Sequence, residues 1–171
     1  MHISHKYSSE VIKRHNTKIS RSETNDCVVR AIATAFDITY NQSHKFCSDT
    51  YERKNRKGVL CRIYHSVNKK FSDGQVELFG KTMTQVGDKC KYTGNIKPFT
   101  YYKKKYWDGT PYTKQCKMTV GTFLKKYPKG TFILSVNGHT FTVKDGTVIG
   151  NWSDLRKARV RVDRAWEIKN V

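Results

Sequence analysis

The chain has 171 residues, 37% hydrophobic and 12% aromatic, with 33 Lys and Arg against 14 Asp and Glu for a net charge of +19. That length suits one domain with its own core, and the bulky aromatics exclude a chain disordered throughout. The charge exceeds what solubility needs and attracts polyanions.

No apolar run reaches the length a bilayer span requires. The opening "MHISHKYSSEVIKRH" has no apolar core and no small-residue cleavage site, so no export signal is expected. The expected setting is cytosolic, away from membranes. The five cysteines, Cys27, Cys47, Cys61, Cys90 and Cys116, are odd in number and show no C-x-x-C spacing. A zinc ribbon or finger is therefore not expected, nor any other metal or cofactor. Reduced thiols follow from that setting, most of them buried as small hydrophobes.

Residues 1–22 are polar and basic and predict a loosely packed N-terminal arm. The first helix is predicted over 25–37, where Val28, Val29, Ile32, Ala33 and Phe36 cover most of the circumference. A helix apolar nearly all round is enclosed by other elements. Asn25 or Asp26 is placed to cap its start. "YNQSHKFCSDTYERK" (40–54) predicts a second helix with Phe46, Cys47 and Tyr51 inward, and "GVLCRIYHSVNKKF" (58–71) a third with Ile63, Val67 and Phe71 at helical spacing. Residues 72–117, broken by glycines and prolines, predict short strands and loops. Thr119 caps a short helix over 118–130, ended by Pro128 and Gly130. "TFILSVNGHTFTVKDGTVIGNW" (131–152) predicts three strands joined at Asn137-Gly138 and Asp145-Gly146, both pairs suited to type I′ turns. Val160, Val162, Ala165, Trp166 and Ile168 predict a last strand, on an edge of the sheet. Helices first and an antiparallel sheet last make an α+β fold.

Three residues together carry a chemistry. Cys27 opens the central helix, His139 begins a strand after a tight turn, and Asn151 follows the next strand. A thiol attacks best as thiolate, which the partial positive charge of a helix start favours. An imidazole takes its proton, and a third group orients the imidazole. Free N–H groups of the first helical turn can hold an oxyanion. The hairpin from His139 through Asp145-Gly146 to Asn151 brings its two ends together. Asp154 is the rival to Asn151 as orienter. Arg30 predicts a structural ion pair. His44 and His65 read as surface or helix-face residues.

The order Cys at the start of a central helix, then His on a strand, then Asn before Trp resembles that of papain-like cysteine peptidases. "NDCVVRAIATAF" and "GTFILSVNGHTFTVKDGTVIGNWSD" are similar to a group of small papain-like proteins of bacteriophages, mostly without assigned activity. The matching residues are Asp26 to Ala31, then Val136, Gly138 and His139, then Asn151 and Trp152. The resemblance covers the helical start and 119–154, leaving 66–117 aside. It implies a single papain-like domain over 23–171, a Cys27–His139–Asn151 triad, and action in the host cytoplasm. Papain-like peptidases carry a Gln several residues before the nucleophile; "RSETNDC" has none, and Asn25 is the nearest amide candidate for the oxyanion.

From Lys89 to Lys129 there are eleven lysines and one acidic residue, Asp108. Within it, "FTYYKKKYWDGTPYTK" mixes Lys103, Lys104 and Lys105 with Tyr106, Trp107 and other aromatics. Lysines neutralise phosphates and flat rings stack on bases. Alternatively the rings are core and the lysines a solvated face, or the segment lies by the cleft and selects an acidic partner. The chain as a whole thus reads as a thiol-dependent acyl-transfer enzyme, most simply cleaving a peptide or isopeptide bond of a protein or peptide substrate. The alternative is a non-catalytic basic binder of nucleic acid or an acidic host protein on the same frame.

Overall fold

The computed structural model describes residues 3–60, 63–64, 66–68, 73–151 and 158–171, with 73–76 as backbone alone. The expected helix over 58–71 is helical at 63–64 and 66–68. Cys61, His65, Phe71, Trp152 and Asp154 lie outside the described residues.

The elements in order are strand β1 (His5–Tyr7), helices α1 (Ser8–Val11), α2 (Lys18–Ser22), α3 (Cys27–Phe36) and α4 (Tyr40–Tyr51), strands β2 (Asp73–Leu78), β3 (Lys81–Gln85), β4 (Asp88–Lys89), β5 (Ile96–Lys97), β6 (Phe99–Lys105) and β7 (Pro111–Lys117), helix α5 (Val120–Lys126), and strands β8 (Thr131–Val136), β9 (His139–Lys144), β10 (Thr147–Gly150) and β11 (Val162–Asn170). One seven-stranded mixed sheet runs in the order β1-β10-β9-β8-β11-β3-β2, beside two separate hairpins, β4-β5 and β6-β7. The fold is thus mixed helix and sheet.

The sheet departs from the expected plan in three places. Residues 5–22 are not a loose arm, because β1 pairs in parallel with β10, and Ser8, Ile12 and Ser20 are buried. This one strand makes the sheet mixed. The last strand is not on an edge: β11 lies between β8 and β3. A register shift between Val162 and Arg164 breaks its alternation, which explains the three-residue step from Val162 to Ala165, both fully buried. Finally, the two hairpin turns differ. Asp145 and Gly146 have φ of 47° and 73°, as type I′ requires. At the other turn only Gly138 is positive, at 68°, which is the sign pattern of type II.

The pleat divides the core in two. Phe132, Leu134 and Val136 of β8 face α5, packing with Phe123, Phe141, Val143 and Val162. Ile133 of β8 faces the other way, joining Trp166, Ile168 and Met83 against α3 and α4. Cys47 and Tyr51 are buried there, with Phe46 partly so. α3 lies across β9 on the side of Thr140 and Thr142. There the buried Thr142 Oγ1 donates to the carbonyl of Ala31 at 2.7 Å, and Ala31 and Ala35 let helix and strand approach closely. The Thr142→Val variant keeps shape and loses this bond. It should lower unfolding free energy by about 1 kcal/mol, read from urea titration.

α5 begins as expected, with Thr119 Oγ1 accepting from the Thr122 N–H at 3.1 Å. α3 does not. Its N-cap is Asp26, whose side chain makes no capping bond, and Asn25 sits one residue earlier at φ 53°. The reason lies in what those two side chains do instead.

Candidate functional site

Four consecutive polar residues, "ETND", hold the backbone that leads into Cys27. Glu23 is bound by Arg53 Nη2 at 2.6 Å and by the Arg56 N–H at 2.9 Å. His44 Nε2 lies 3.3 Å from its other oxygen. The side chains of Arg53 and Glu23 are 1% and 3% exposed. Burial alone would raise the Glu23 carboxyl, but the bonds from Arg53 and Arg56 and the Arg53 charge outweigh it and hold it below its ordinary value. His44, read as a surface or helix-face residue, is half of this contact; it stands three residues before Cys47 and seven before Tyr51, on the buried face of α4. Arg53 also donates to the Thr24 carbonyl at 3.2 Å. Thr24 Oγ1 and Asn25 Nδ2 both donate to the Arg56 carbonyl, at 3.2 and 3.3 Å.

Asp26 completes the anchor. Its buried carboxylate accepts from Arg30 Nε at 2.9 Å to each oxygen, which is the ion pair expected of Arg30. It also accepts from the Tyr40 hydroxyl at 2.7 Å. Burial, then that hydrogen bond, push the Tyr40 phenol far above its ordinary range. The carboxylate that could have capped α3 is therefore turned inward. Arg30 donates its N–H to the Asp26 carbonyl at 2.9 Å, closing the first helical turn. The N–H groups of Cys27, Val28 and Val29 come before any intrahelical partner, and the positive end of α3 is left uncapped behind the thiol.

Cys27 is the first residue of α3 and is half-buried. A cleft of about 480 Å³ opens over it, lined by Asn25, Asp26, Cys27, Gly58, Val59, Gly138, His139 and Asn151. A smaller recess of about 80 Å³ runs beneath, past Val28, Tyr64, Ser135 and Thr140, again bordered by Cys27 and His139. A further crevice places Cys27, Arg30, His139 and Asn151 together. The four expected residues Cys27, His139, Asn151 and Asn25 thus border one space. Sequence reasoning missed Gly58 and Val59, which line the cleft, Gly58 beside Asn25, and carry no chemical signal of their own.

The hairpin supplies His139 and Asn151 in different ways. His139 is the first residue of β9, paired with Val136. It shares the pleat of Phe141, their ring centroids 6.1 Å apart. α3 lies on the opposite pleat, so thiol and imidazole border the cleft at the end of the sheet rather than across one face. The β9–β10 register pairs Ile149 with Thr142; carried two residues further it would set Asn151 opposite Thr140. Asn151 lies just past the end of β10 at Gly150, where the ladder no longer fixes its side. Asp154, the rival orienter, is among the residues not described.

The other cysteines are placed differently from one another. Of the four described, all free, only Cys47 is buried; Cys90 and Cys116 are half-buried. Burial pushes the Cys47 thiol up to about 12. A hydrogen bond from Thr93 lowers that of Cys90. The basic segment Lys103 to Trp107 lines none of the cavities around Cys27. Its rings are not core either: of "FTYYKKKYW" only Phe99 is buried, while Tyr101, Tyr102, Tyr106 and Trp107 are exposed. No helix among the described residues is long and apolar enough to cross a membrane. Comparison with protein-family models, with curated proteins and with solved structures finds no match to this chain.

Proposed function

We propose that this chain is a papain-like thiol acyltransferase, most simply a hydrolase of peptide or isopeptide bonds, with Cys27 as nucleophile, His139 as base and Asn151 as its orienter. The observation that carries the reading is the shared cleft: the first residue of an uncapped helix, the first residue of a strand and the residue after the next strand border one space. Their chain order resembles that of the papain-like family, and the bacteriophage resemblance would set the reaction in a host cytoplasm.

The chemistry follows in two stages. The Cys27 sulfur attacks the scissile carbonyl carbon as His139 holds the thiol proton. The tetrahedral oxyanion is met by N–H groups of the first turn of α3. Asn25 is the second donor on this reading. Its Nδ2 already gives one hydrogen to Arg56, and an amide nitrogen carries two. Collapse of the intermediate expels the amine, which takes the proton from His139, and leaves a thioester on Cys27. Water, or an amine in a transferase, then attacks the thioester with His139 as base.

An activated aryl ester tests this without knowledge of the natural substrate. The expected result is a burst of about one equivalent of phenol per chain and a hydroxylamine-labile acyl group on Cys27, found by peptide mass spectrometry. Asn151→Ala should slow the burst roughly 10- to 100-fold through loss of imidazole orientation, with Asp154→Ala leaving it unchanged. Acylation spread over several cysteines with no burst would overturn the assignment.

A further inference from the structure

We infer that the β6–β7 hairpin is an arm that binds single-stranded nucleic acid, with its lysines on phosphates and Trp107 stacked on a base. β6 and β7 pair with each other over seven residues, Phe99↔Lys117 to Lys105↔Pro111, and join no other strand. The base of the ribbon is bolted down. Met118 donates to the Pro98 carbonyl at 2.9 Å, Gln115 Nε2 to the Lys89 carbonyl at 3.1 Å, and the Tyr101 hydroxyl to Asp88 at 3.0 Å. Beyond the Tyr101–Gln115 pair, no hydrogen bond among the described residues leaves the ribbon, and every residue from Tyr101 to Pro111 is exposed. A ribbon that buries nothing beyond its base is not there to complete the core.

Its chemistry matches a repeating polyanion with flat bases. Within Phe99–Lys117 there are five lysines and one acidic residue, Asp108. Lys103 and Lys105 stand on one face, two residues and about 7 Å apart; Lys104 and Lys114 stand on the other. Regular spacing of charge along an extended backbone suits phosphates. Near the tip, the Tyr106 and Tyr112 rings stack with centroids 4.4 Å apart, and Trp107 is 98% exposed. Stacking on an aromatic ring serves any base but needs a base face to be free, which a closed duplex withholds. An anionic membrane would ask for a contiguous apolar tip, and here Trp107 is followed at once by Asp108, Gly109 and Thr110. An acidic protein would use the lysines and leave Trp107 idle.

The arm also rises from the cleft end of the sheet. His139 pairs with Val136 and Val136 with Val162, and the Val162 N–H donates to the Met118 carbonyl at 2.8 Å. That is three steps of strand spacing, about 14 Å. The base of the ribbon is thus anchored at the end of the sheet that carries His139.

The test is fluorescence anisotropy of a labelled single-stranded 20-mer and the matching duplex, between 50 and 200 mM KCl. The single strand is expected to bind more tightly, with affinity falling steeply with salt. The triple variant Lys103→Ala, Lys104→Ala, Lys105→Ala should bind at least tenfold more weakly and lose about one to two from the log–log salt slope. Trp107→Ala should weaken single-strand binding about tenfold or more at unchanged slope. All four side chains are exposed, so the fold is not at stake. Wild-type affinity in the triple variant would overturn the inference. So would preference for the duplex without need of Trp107, or equal displacement of the strand by polyglutamate or by anionic vesicles.

Discussion

Iodoacetamide should alkylate Cys27 faster than any other described cysteine at pH 5, by about 10- to 100-fold, and His139→Ala should abolish that lead. The arithmetic dictates the pH. An ordinary thiol is only a few per cent thiolate at pH 7, and that fraction drops tenfold for each unit below. A thiolate held by an imidazolium does not follow that fall while the ion pair lasts. It is, however, a weaker nucleophile per molecule, because reactivity declines with basicity at a Brønsted slope of about 0.4–0.5. At pH 7 the two effects nearly cancel, and all accessible cysteines would look alike. On the proposed mechanism, it is the partnership with His139 that would keep Cys27 reactive at pH 5. Cys90 is the demanding comparator, since its thiol is already lowered by the Thr93 hydrogen bond. Cys47, buried and pushed up to about 12, should be the slowest of all. The readout is peptide mass spectrometry of timed, quenched samples at pH 5, 6 and 7. A Cys27 rate that falls tenfold per unit alongside Cys90 and Cys116 would remove the thiol enzyme and leave the frame.

The largest effect on stability should come from Glu23→Ala, at about 3–5 kcal/mol. The cost is not the energy of the pair itself, since desolvation offsets much of that. It is the Arg53 guanidinium left buried at 1% exposure without its counter-charge, together with the Arg56 N–H left without its acceptor. Glu23→Gln keeps an acceptor and should lose less. Acid should act through the same group. A carboxyl held low in the folded state stabilises above its unfolded value of about 4.3. That contribution is lost as the pH falls through the lower, folded value. Urea midpoints of the native chain should therefore fall below pH 4 more steeply than those of Glu23→Ala. Parallel curves for the two proteins would show that Glu23 does not carry the acid response. Because Glu23 lies four residues before Cys27, the variant should also loosen the turn that presents the thiol, and alkylation of the still-folded fraction would report it.

The parts of this molecule legible in sequence are those written in short-range pattern. Val28, Val29, Ile32 and Phe36 announce an enclosed helix; Phe132, Leu134 and Val136 alternate as a strand must; Asp145-Gly146 forces its turn. Cys27, His139 and Asn151 could be named because each sits where an element starts or stops, and the chain order did the rest. What stayed hidden depends on partners distant in sequence. Nothing near Glu23 says that Arg53, thirty residues on, will bury against it, or that Tyr40, fourteen residues on from Asp26, will bond the Asp26 carboxylate that could have capped α3. β11 read as an edge because its bulge breaks the alternation that marks a central strand. His5, Lys6 and Tyr7 read as a loose arm because three residues are too few to show a period.

Those three residues have a consequence for how the molecule behaves in a crowded solution. The rim of a sheet is an open row of donors and acceptors, a template on which another chain can add itself. Without β1 that rim would be β10, four apolar and small residues leading directly to Asn151. β1 lies along Val148 to Gly150 and presents outward a strand of three residues, with Lys6 exposed, too short to recruit a neighbour. The wall of the cleft is thereby kept from becoming a seam between molecules.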